Sequence, residues 1–147
     1  MTYTEAVINE VLRKSSVVPV GLFHRAVQDE TIEGYFVPKD TIIVANIYAA
    51  HHDPQVWGDP ENFRPERWIG RDGKVKRIDD LVAFSAGKRS CIGETVARME
   101  LFLFITSIFQ SYGIKPVSDL PPPDGYGITL APLPFKCTFT RRSLVSM

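Results

Sequence analysis

The segment FSAGKRSCIG at positions 84–93 restricts what this chain can fold into more than any other segment does. It places Cys91 in a glycine-bearing, basic loop that leads directly into an apolar stretch at 96–109 with helical character. Because apolar side chains cover nearly all faces of this stretch at 101–105, we expect a buried helix, ended by Gly113. Cys91 is thus predicted at or just before a helix N-terminus.

The predicted position of Cys91 suits a thiolate. The N–H groups in the first turn of a helix lack intrahelical partners and carry partial positive charge, which favours a sulfur anion over a thiol. Gly87 can adopt backbone conformations closed to other residues, and Gly93 removes a side chain just past the sulfur, where a flat ligand could lie. Arg89 adds a cation suited to a carboxylate. Taken alone, a cysteine between glycines is more often a small buried residue, so ligand status stays open at this point.

Composition excludes several classes of protein. The 147 residues carry a formal net charge of zero, so no basic field points to nucleic acid as a partner. Cys91 and Cys137 are far apart and predict neither a disulfide framework nor a zinc site, and Cys137 is expected to be a packed thiol. His51 and His52 have no third ligand at useful spacing, which favours a structural role. No signal peptide, membrane anchor or transmembrane segment is predicted.

Two charged residues near the start of the chain form a second candidate site. The apolar pattern predicts a helix at about 4–15, on which Glu10 and Arg13 are three residues apart and can pair. On the residues alone, such a pair is more often a solvent-exposed contact of little energetic weight. Few residues are available to cap the start of this helix, so we expect that its natural upstream partner is missing.

Four motifs occur in an order that resembles the cytochrome P450 family. They are E-x-x-R at 10–13, V-P-x-G-x-x-H at 18–24, P-E-R at 65–67 and F-x-x-G-x-R-x-C-x-G at 84–93. The resemblance extends over about 3–142. It implies a haem b cofactor whose iron has Cys91 as its protein ligand. It also implies that the E-x-x-R pair is buried together with the arginine of P-E-R.

The resemblance assigns roles to further residues. The implied haem-binding residues are Cys91, Arg89, His24, Arg25, Phe84, Gly87 and Gly93. Of these, His24 would bind a haem propionate, although Arg25 could take this role instead. A third interpretation is that His24 is a surface histidine with no ligand. The implied structural cluster is Glu10, Arg13 and Arg67, whose loss would cost folding or haem rather than rate alone. The implied substrate-pocket candidates are Val18, Val20, Leu22 and Ile128.

The implied fold is mainly α with small antiparallel β-sheets (α+β), as an incomplete C-terminal part of the cytochrome P450 fold. We divide the chain into a helix at 1–16, a β-rich segment at 17–47, a meander at 48–83, the cysteine loop with its helix at 84–113, and a β segment at 114–147.

Several shorter elements are predicted within this division. Strands at 23–28, 33–37 and 41–47 are expected to form one antiparallel sheet, with Asp40 tolerating a left-handed turn. The remaining expectations are a short helix at 48–52, an irregular path at 57–65, a surface loop at 71–80, a Pro-rich link at 120–124 and a strand pair at 127–130 and 135–139.

By resemblance, the complete protein would be a haem-thiolate monooxygenase. It would oxidise a small, apolar organic substrate with dioxygen and with electrons from a reductase, at the cytosolic face of the endoplasmic reticulum. Nothing in this chain matches the long distal helix of the family, so we expect that these residues alone do not hold haem away from water. Two alternatives stay open: a haem-thiolate isomerase or dehydratase, and a non-catalytic fragment. The latter predicts exposed apolar surface at 101–109.

Overall fold

The computed structural model describes residues 1–119 and 128–143. The helices in this part are Thr2–Ser15 (α1), Ile47–His51 (α2), Pro54–Trp57 (α3) and Glu94–Ser111 (α4). The strands are His24–Arg25 (β1), Glu30–Ile32 (β2), Tyr35–Val37 (β3), Ile42–Ile43 (β4), Tyr112–Pro116 (β5) and Cys137–Arg141 (β6). Two 3-10 helices occur at Pro65–Trp68 and Gly87–Arg89. This content confirms the predicted class of helices with small antiparallel sheets.

Helix α1 packs one face against the 3-10 helix at 65–68. Ala6, Glu10 and Arg13 lie on this face and are buried, and Ile8 is buried on the opposite side of the helix. The spacing of the first three matches one stripe of a helix, although two of them are charged. The helix is followed by Ser16, whose φ of 37° is left-handed and whose N–H bonds back into the last turn. The predicted helix at about 4–15 is therefore confirmed.

The β-rich segment forms two separate sheets, so the prediction of a single sheet is wrong. Strand β1 pairs antiparallel with β4, and β2 pairs with β3 in a hairpin. This hairpin turns at Glu33 and Gly34, where φ is 50° and 85°, and a turn with two positive φ values suits the twist of paired strands. The predicted strand at 33–37 therefore began inside a turn. Asp40 adopts a left-handed φ of 67°, as expected.

A small core lies behind α1. Trp57 at the end of α3 and Trp68 at the end of the 3-10 helix pack with Ala6, and the two indole rings are 5.5 Å apart. Aromatic rings of this size supply much of the apolar area that a small core buries. Helix α2 confirms the short helix predicted at 48–52, shifted by one residue, and the following path to Pro65 is irregular after the single turn of α3.

Helix α4 has no buried residue, so the prediction of a buried helix is wrong for this chain. Leu103, Phe104 and Phe109 are 62%, 65% and 53% exposed. A helix that is apolar all round needs neighbours on every side, whereas the main neighbours of α4 in the described chain are α1 and β5. Exposed apolar surface at 101–109 is what the non-catalytic alternative predicts.

The C-terminal strand pairing also differs from the prediction. Helix α4 ends at Ser111 and the chain continues directly as β5, so Gly113 lies in a strand and does not cap the helix. Strand β6 pairs with β5 and not with the predicted strand at 127–130, because residues 128–130 adopt no strand structure. Gly127 and the predicted Pro-rich link at 120–124 lie outside the described residues. Cys137 begins β6 and is partly buried.

Candidate functional site

A buried carboxylate, Glu10, joins α1 to the 3-10 helix at 65–68. Its side chain is fully buried and accepts five hydrogen bonds. Arg13 donates to both carboxylate oxygens, from Nε at 3.0 Å and from Nη2 at 2.8 Å. Arg67 Nε donates at 3.1 Å and Trp68 Nε1 at 2.9 Å, and the backbone N–H of Arg64 supplies the fifth bond at 2.9 Å.

The two guanidinium groups around Glu10 also bind backbone carbonyls of the meander. Arg13 Nη1 donates to the carbonyl of His51 at 2.8 Å, and Arg67 Nη1 donates to the carbonyl of Trp57 at 2.8 Å. Within the described chain, no buried side-chain nitrogen or oxygen lacks a hydrogen-bond partner. This completeness matters because a buried ion pair with a missing partner leaves an uncompensated charge. Glu10, Arg13 and Arg67 therefore form one unit, which we call the Glu10 cluster.

The charge of Glu10 is stabilised by its neighbours. Burial alone would raise the pKa of this carboxyl, but hydrogen bonds from Arg13, from the Arg64 backbone and from Trp68 outweigh burial and lower the pKa from 4.5 to about 2. The guanidinium carbons of Arg13 and Arg67 lie 5.3 and 5.9 Å from the centroid of the Trp57 ring, within range of cation–π attraction.

His51 connects the Glu10 cluster to the segment that enters the cysteine loop. Its buried ring has Nδ1 2.9 Å from Ser16 Oγ, and its Nε2 accepts from the backbone N–H of Val82 at 3.1 Å. Because a backbone N–H can only donate, Nε2 carries no proton and the ring is neutral. Burial, followed by the charges of His52 and Arg13, lowers the pKa of His51 from 6.5 to about 4.

The cysteine loop at 84–93 is a turn closed by backbone hydrogen bonds. The N–H of Cys91 donates to the carbonyl of Phe84 at 2.9 Å, and the N–H of Ser85 donates to the carbonyl of Val82 at 2.8 Å. Ser85 and Gly87 both have positive φ, of 64° and 74°. Glycine adopts this region readily, whereas serine does so only where the surrounding structure holds it.

The surroundings of Cys91 fit a thiolate-ligated haem. Cys91 is three residues before α4, and its thiol is free and exposed. A Cβ atom added at Gly93 would lie 3.7 Å from the sulfur. A Cβ atom added at Gly87 would have no other atom within 4 Å. Gly93 thus keeps a side chain away from the sulfur, and Gly87 supplies the positive φ of the turn. An accessible sulfur just before a helix N-terminus is the environment that a soft anionic iron ligand needs. Arg89 is exposed and two residues away in sequence.

A side-chain bridge joins α4 to α1 and to the start of the cysteine loop. Arg98 Nη1 donates to Asn9 Oδ1 at 2.8 Å, and Arg98 Nε donates to Glu94 Oε1 at 2.7 Å. The same guanidinium lies 5.4 Å from the centroid of the Phe84 ring. The ring of Phe84 therefore contacts Arg98 of α4, and its backbone carbonyl binds the N–H of Cys91.

Replacing Asn9 with alanine is expected to lower the free energy of unfolding by about 1 kcal/mol, because the Arg98 guanidinium loses a charge-assisted hydrogen bond between two helices. Urea unfolding followed by tryptophan fluorescence measures this change. Gln28→Ala is the matched control, since its amide bonds only the exposed Glu30 and its loss should cost far less. Equal effects of the two substitutions would show that the bridge to α4 adds no stability.

His24 and Arg25 lie on the exposed strand β1, opposite Ile43 and Ile42 of β4. The Arg25 guanidinium pairs with the Asp40 carboxylate at 3.3 Å. Within residues 1–119 and 128–143, no hydrogen bond or ion pair connects either residue to the cysteine loop. The choice between His24 and Arg25 as a propionate partner therefore stays a prediction.

The predicted substrate-pocket residues lie on two neighbouring segments. Val18 and Val20 are half-buried, whereas Leu22 and Ile128 are largely exposed. The N–H of Leu130 donates to the carbonyl of Val17 at 2.8 Å, which places the segment that carries Ile128 beside the segment that carries Val18.

Comparison with known proteins identifies the family of this chain. The family model for Cytochrome P450 matches residues 1–139. The chain belongs to the cytochrome P450 family. Human Cytochrome P450 2U1 is 40% identical over 145 residues, which cover 97% of this chain and 27% of that protein. Farnesoate epoxidase of Bombyx mori is 42% identical over 147 residues, covering 97% of this chain and 29% of that protein. Cytochrome P450 2B2 of Rattus norvegicus is 39% identical over 148 residues, covering 97% and 30%.

This cytochrome P450 chain thus spans between a quarter and a third of the curated relatives that it matches. Its described helices include none that is long and apolar enough to cross a membrane. The described residues also contain no group of three or more histidine, cysteine or acidic side chains that could hold a metal ion. A haem iron bound through a single cysteine does not require such a group.

Sequence reasoning missed several residues that hold the P450 site together. Trp57, Trp68, Ser16, Asn9 and Arg98 all contact it. The two tryptophans gave a signal, since both lie in the predicted meander at 48–83 and they are the chain's only two. No sequence signal could have identified Ser16 or Asn9, because their partners are 35 and 89 residues away in the chain.

Proposed function

We propose that this chain is the haem-binding part of a cytochrome P450 monooxygenase. The observation that carries the proposal is the environment of Cys91, an exposed thiol in a turn closed on the Phe84 carbonyl and three residues before α4. Family membership supports haem as the cofactor. The name of one relative, farnesoate epoxidase, supports the oxidation of a small organic molecule.

In this proposal Cys91 is the protein ligand to the haem iron. Arg89 binds one haem propionate, and His24 or Arg25 binds a propionate as well. Gly93 keeps a side chain away from the sulfur, where a bound haem would lie, and Gly87 adopts the positive φ of the turn before it. When bound, haem b supplies an iron centre for the activation of dioxygen with electrons from a reductase.

The remaining residues of the site position the cofactor and the substrate. The Glu10 cluster holds α1 to the 3-10 helix at 65–68, and Arg98 of α4 holds Phe84 at the start of the cysteine loop. Val18, Val20, Leu22 and Ile128 line the pocket for a small, apolar substrate. The complete protein works with a reductase of the cytochrome P450 type at the cytosolic face of the endoplasmic reticulum.

The proposal is tested by a chimera in which residues 1–147 replace the matching segment of human Cytochrome P450 2U1. We expect the reduced, carbon monoxide-bound chimera to show the red-shifted Soret band of a thiolate ligand. Cys91→Ser should abolish this band, because a serine hydroxyl does not replace a thiolate. Cys137→Ser is the matched control and should leave the band in place, since Cys137 lies in β6 away from the loop.

A folded chimera whose band survives Cys91→Ser would contradict the proposal. The 147 residues without the chimeric partner are expected to give no thiolate band with haemin, because Cys91 is open to water. This second measurement bears on the alternative that the chain acts as a non-catalytic fragment.

A further inference from the structure

We propose that His51 is a positioning residue that sets the entry of the cysteine loop from the end of α1. Its two ring nitrogens bind two segments that are distant in the chain. Nδ1 contacts Ser16, 35 residues away, and Nε2 accepts from Val82, 31 residues away in the other direction. If His51 only filled space, an apolar side chain would serve equally well, and neither hydrogen bond of the ring would be needed.

The first contact attaches the ring to the Glu10 cluster. Ser16 Oγ donates its proton to the carbonyl of Arg13 at 2.9 Å, so the hydroxyl oxygen is left to accept from His51 Nδ1–H. The backbone carbonyl of His51 in turn accepts from Arg13 Nη1 at 2.8 Å. Both the side chain and the main chain of His51 are thus held by the end of α1.

The second contact fixes Val82, which is two residues before the cysteine loop. His51 Nε2 accepts from the N–H of Val82, and the carbonyl of Val82 accepts from the N–H of Ser85. Ser85 is the non-glycine residue held at a positive φ of 64° next to Phe84, whose carbonyl binds the N–H of Cys91. A shift at Val82 therefore reaches Cys91 through two backbone hydrogen bonds joined by the peptide bond between Phe84 and Ser85.

Two substitutions separate the two contacts. The amide of glutamine reaches about as far as Nε2 of histidine, so His51→Gln keeps an acceptor for the Val82 N–H. The shorter amide of asparagine reaches about as far as Nδ1, so His51→Asn keeps a partner for Ser16 and loses the bond to Val82. Both variants are polar, uncharged and smaller than histidine. Because each variant keeps one contact and loses the other, faster exchange at 82–91 in His51→Asn than in His51→Gln reports the contact to Val82.

Amide hydrogen exchange of the 147-residue chain provides the measurement. His51→Asn is expected to raise the exchange rates at 82–91 about tenfold, since one part-buried hydrogen bond is lost, while the amides of α1 change much less. His51→Gln should stay within about threefold of the unmodified chain. His52→Asn and His52→Gln are matched controls, because the neighbouring His52 stacks on Tyr48 at 4.0 Å and its ring bonds only that residue's carbonyl.

The alkylation rate of Cys91 relative to Cys137 gives a second readout, which should rise in His51→Asn and not in His51→Gln. The proposal is overturned if the two His51 variants behave alike, or if α1 loses protection as much as 82–91 does, since a purely structural role predicts a general loss. Neither readout involves haem. A failure here is therefore distinct from a failure of Cys91 as the iron ligand.

Discussion

Replacing Glu10 with glutamine is expected to lower the free energy of unfolding by about 3–5 kcal/mol. The substitution removes the only carboxylate that the buried Arg13 contacts within the described chain, and it leaves two guanidinium groups facing a neutral amide. A buried charge without its partner is costly because it has lost both water and the opposite charge. A loss of this size is a large fraction of the stability of about 5–15 kcal/mol typical of a domain.

Urea unfolding followed by tryptophan fluorescence measures the effect of Glu10→Gln, because the chain's two tryptophans, Trp57 and Trp68, both lie at the cluster. Glu5→Gln is the matched control on the same helix, where the carboxylate is exposed and pairs only with the N-terminus. The control should change stability by less than about 0.5 kcal/mol. If Glu10→Gln costs no more than this control, Glu10 is not the buried centre that its five hydrogen bonds indicate.

Acidification is expected to destabilise the chain in two steps, and His51 is responsible for the first. In the unfolded chain a histidine takes up its proton near pH 6.5, whereas folded His51 does so only near pH 4. The stability that the neutral ring contributes is therefore complete above about pH 6.5 and is lost as the pH falls to about 4. The loss amounts to about 3 kcal/mol, since each unit of pKa difference corresponds to about 1.4 kcal/mol.

Glu10 is responsible for the second step. Its pKa is lowered from 4.5 to about 2 in the folded chain, so its contribution is present above about pH 4.5 and is lost as the pH falls towards 2. Urea unfolding at a series of pH values separates the steps. His51→Gln should flatten the curve between about pH 6.5 and 4.5 and leave the lower step. An unchanged slope in that variant would assign the first step to other groups.

The pattern of residues along the chain predicted the helices more accurately than the strand pairing. Helices α1 and α2 have local hydrogen bonds and local side-chain periodicity, so a window of sequence contains most of what defines them. Strand pairing joins residues that are distant in sequence, and the same residues can pair in more than one way. This is why the pairing of β1 with β4, and of β5 with β6, was not predicted.

Burial of α4 could not be predicted either. Its apolar composition indicates a helix that needs cover on all sides, and this property belongs to the sequence. Whether such cover exists depends on the other segments that pack against the helix, and the 147 residues place mainly α1 and β5 there.

For this protein, the sequence by itself predicted the position of Cys91 before a helix, and its motifs indicated the family, whose resemblance implied that Glu10, Arg13 and Arg67 belong together. These follow from motif order and local spacing, which survive without any coordinates. Only the tertiary structure decided which donors surround Glu10, where His51 directs each ring nitrogen, and which face of α4 stays exposed. Those features depend on contacts between residues tens of positions apart, and the physical reason is that burial and hydrogen-bond partners are set by packing rather than by local composition.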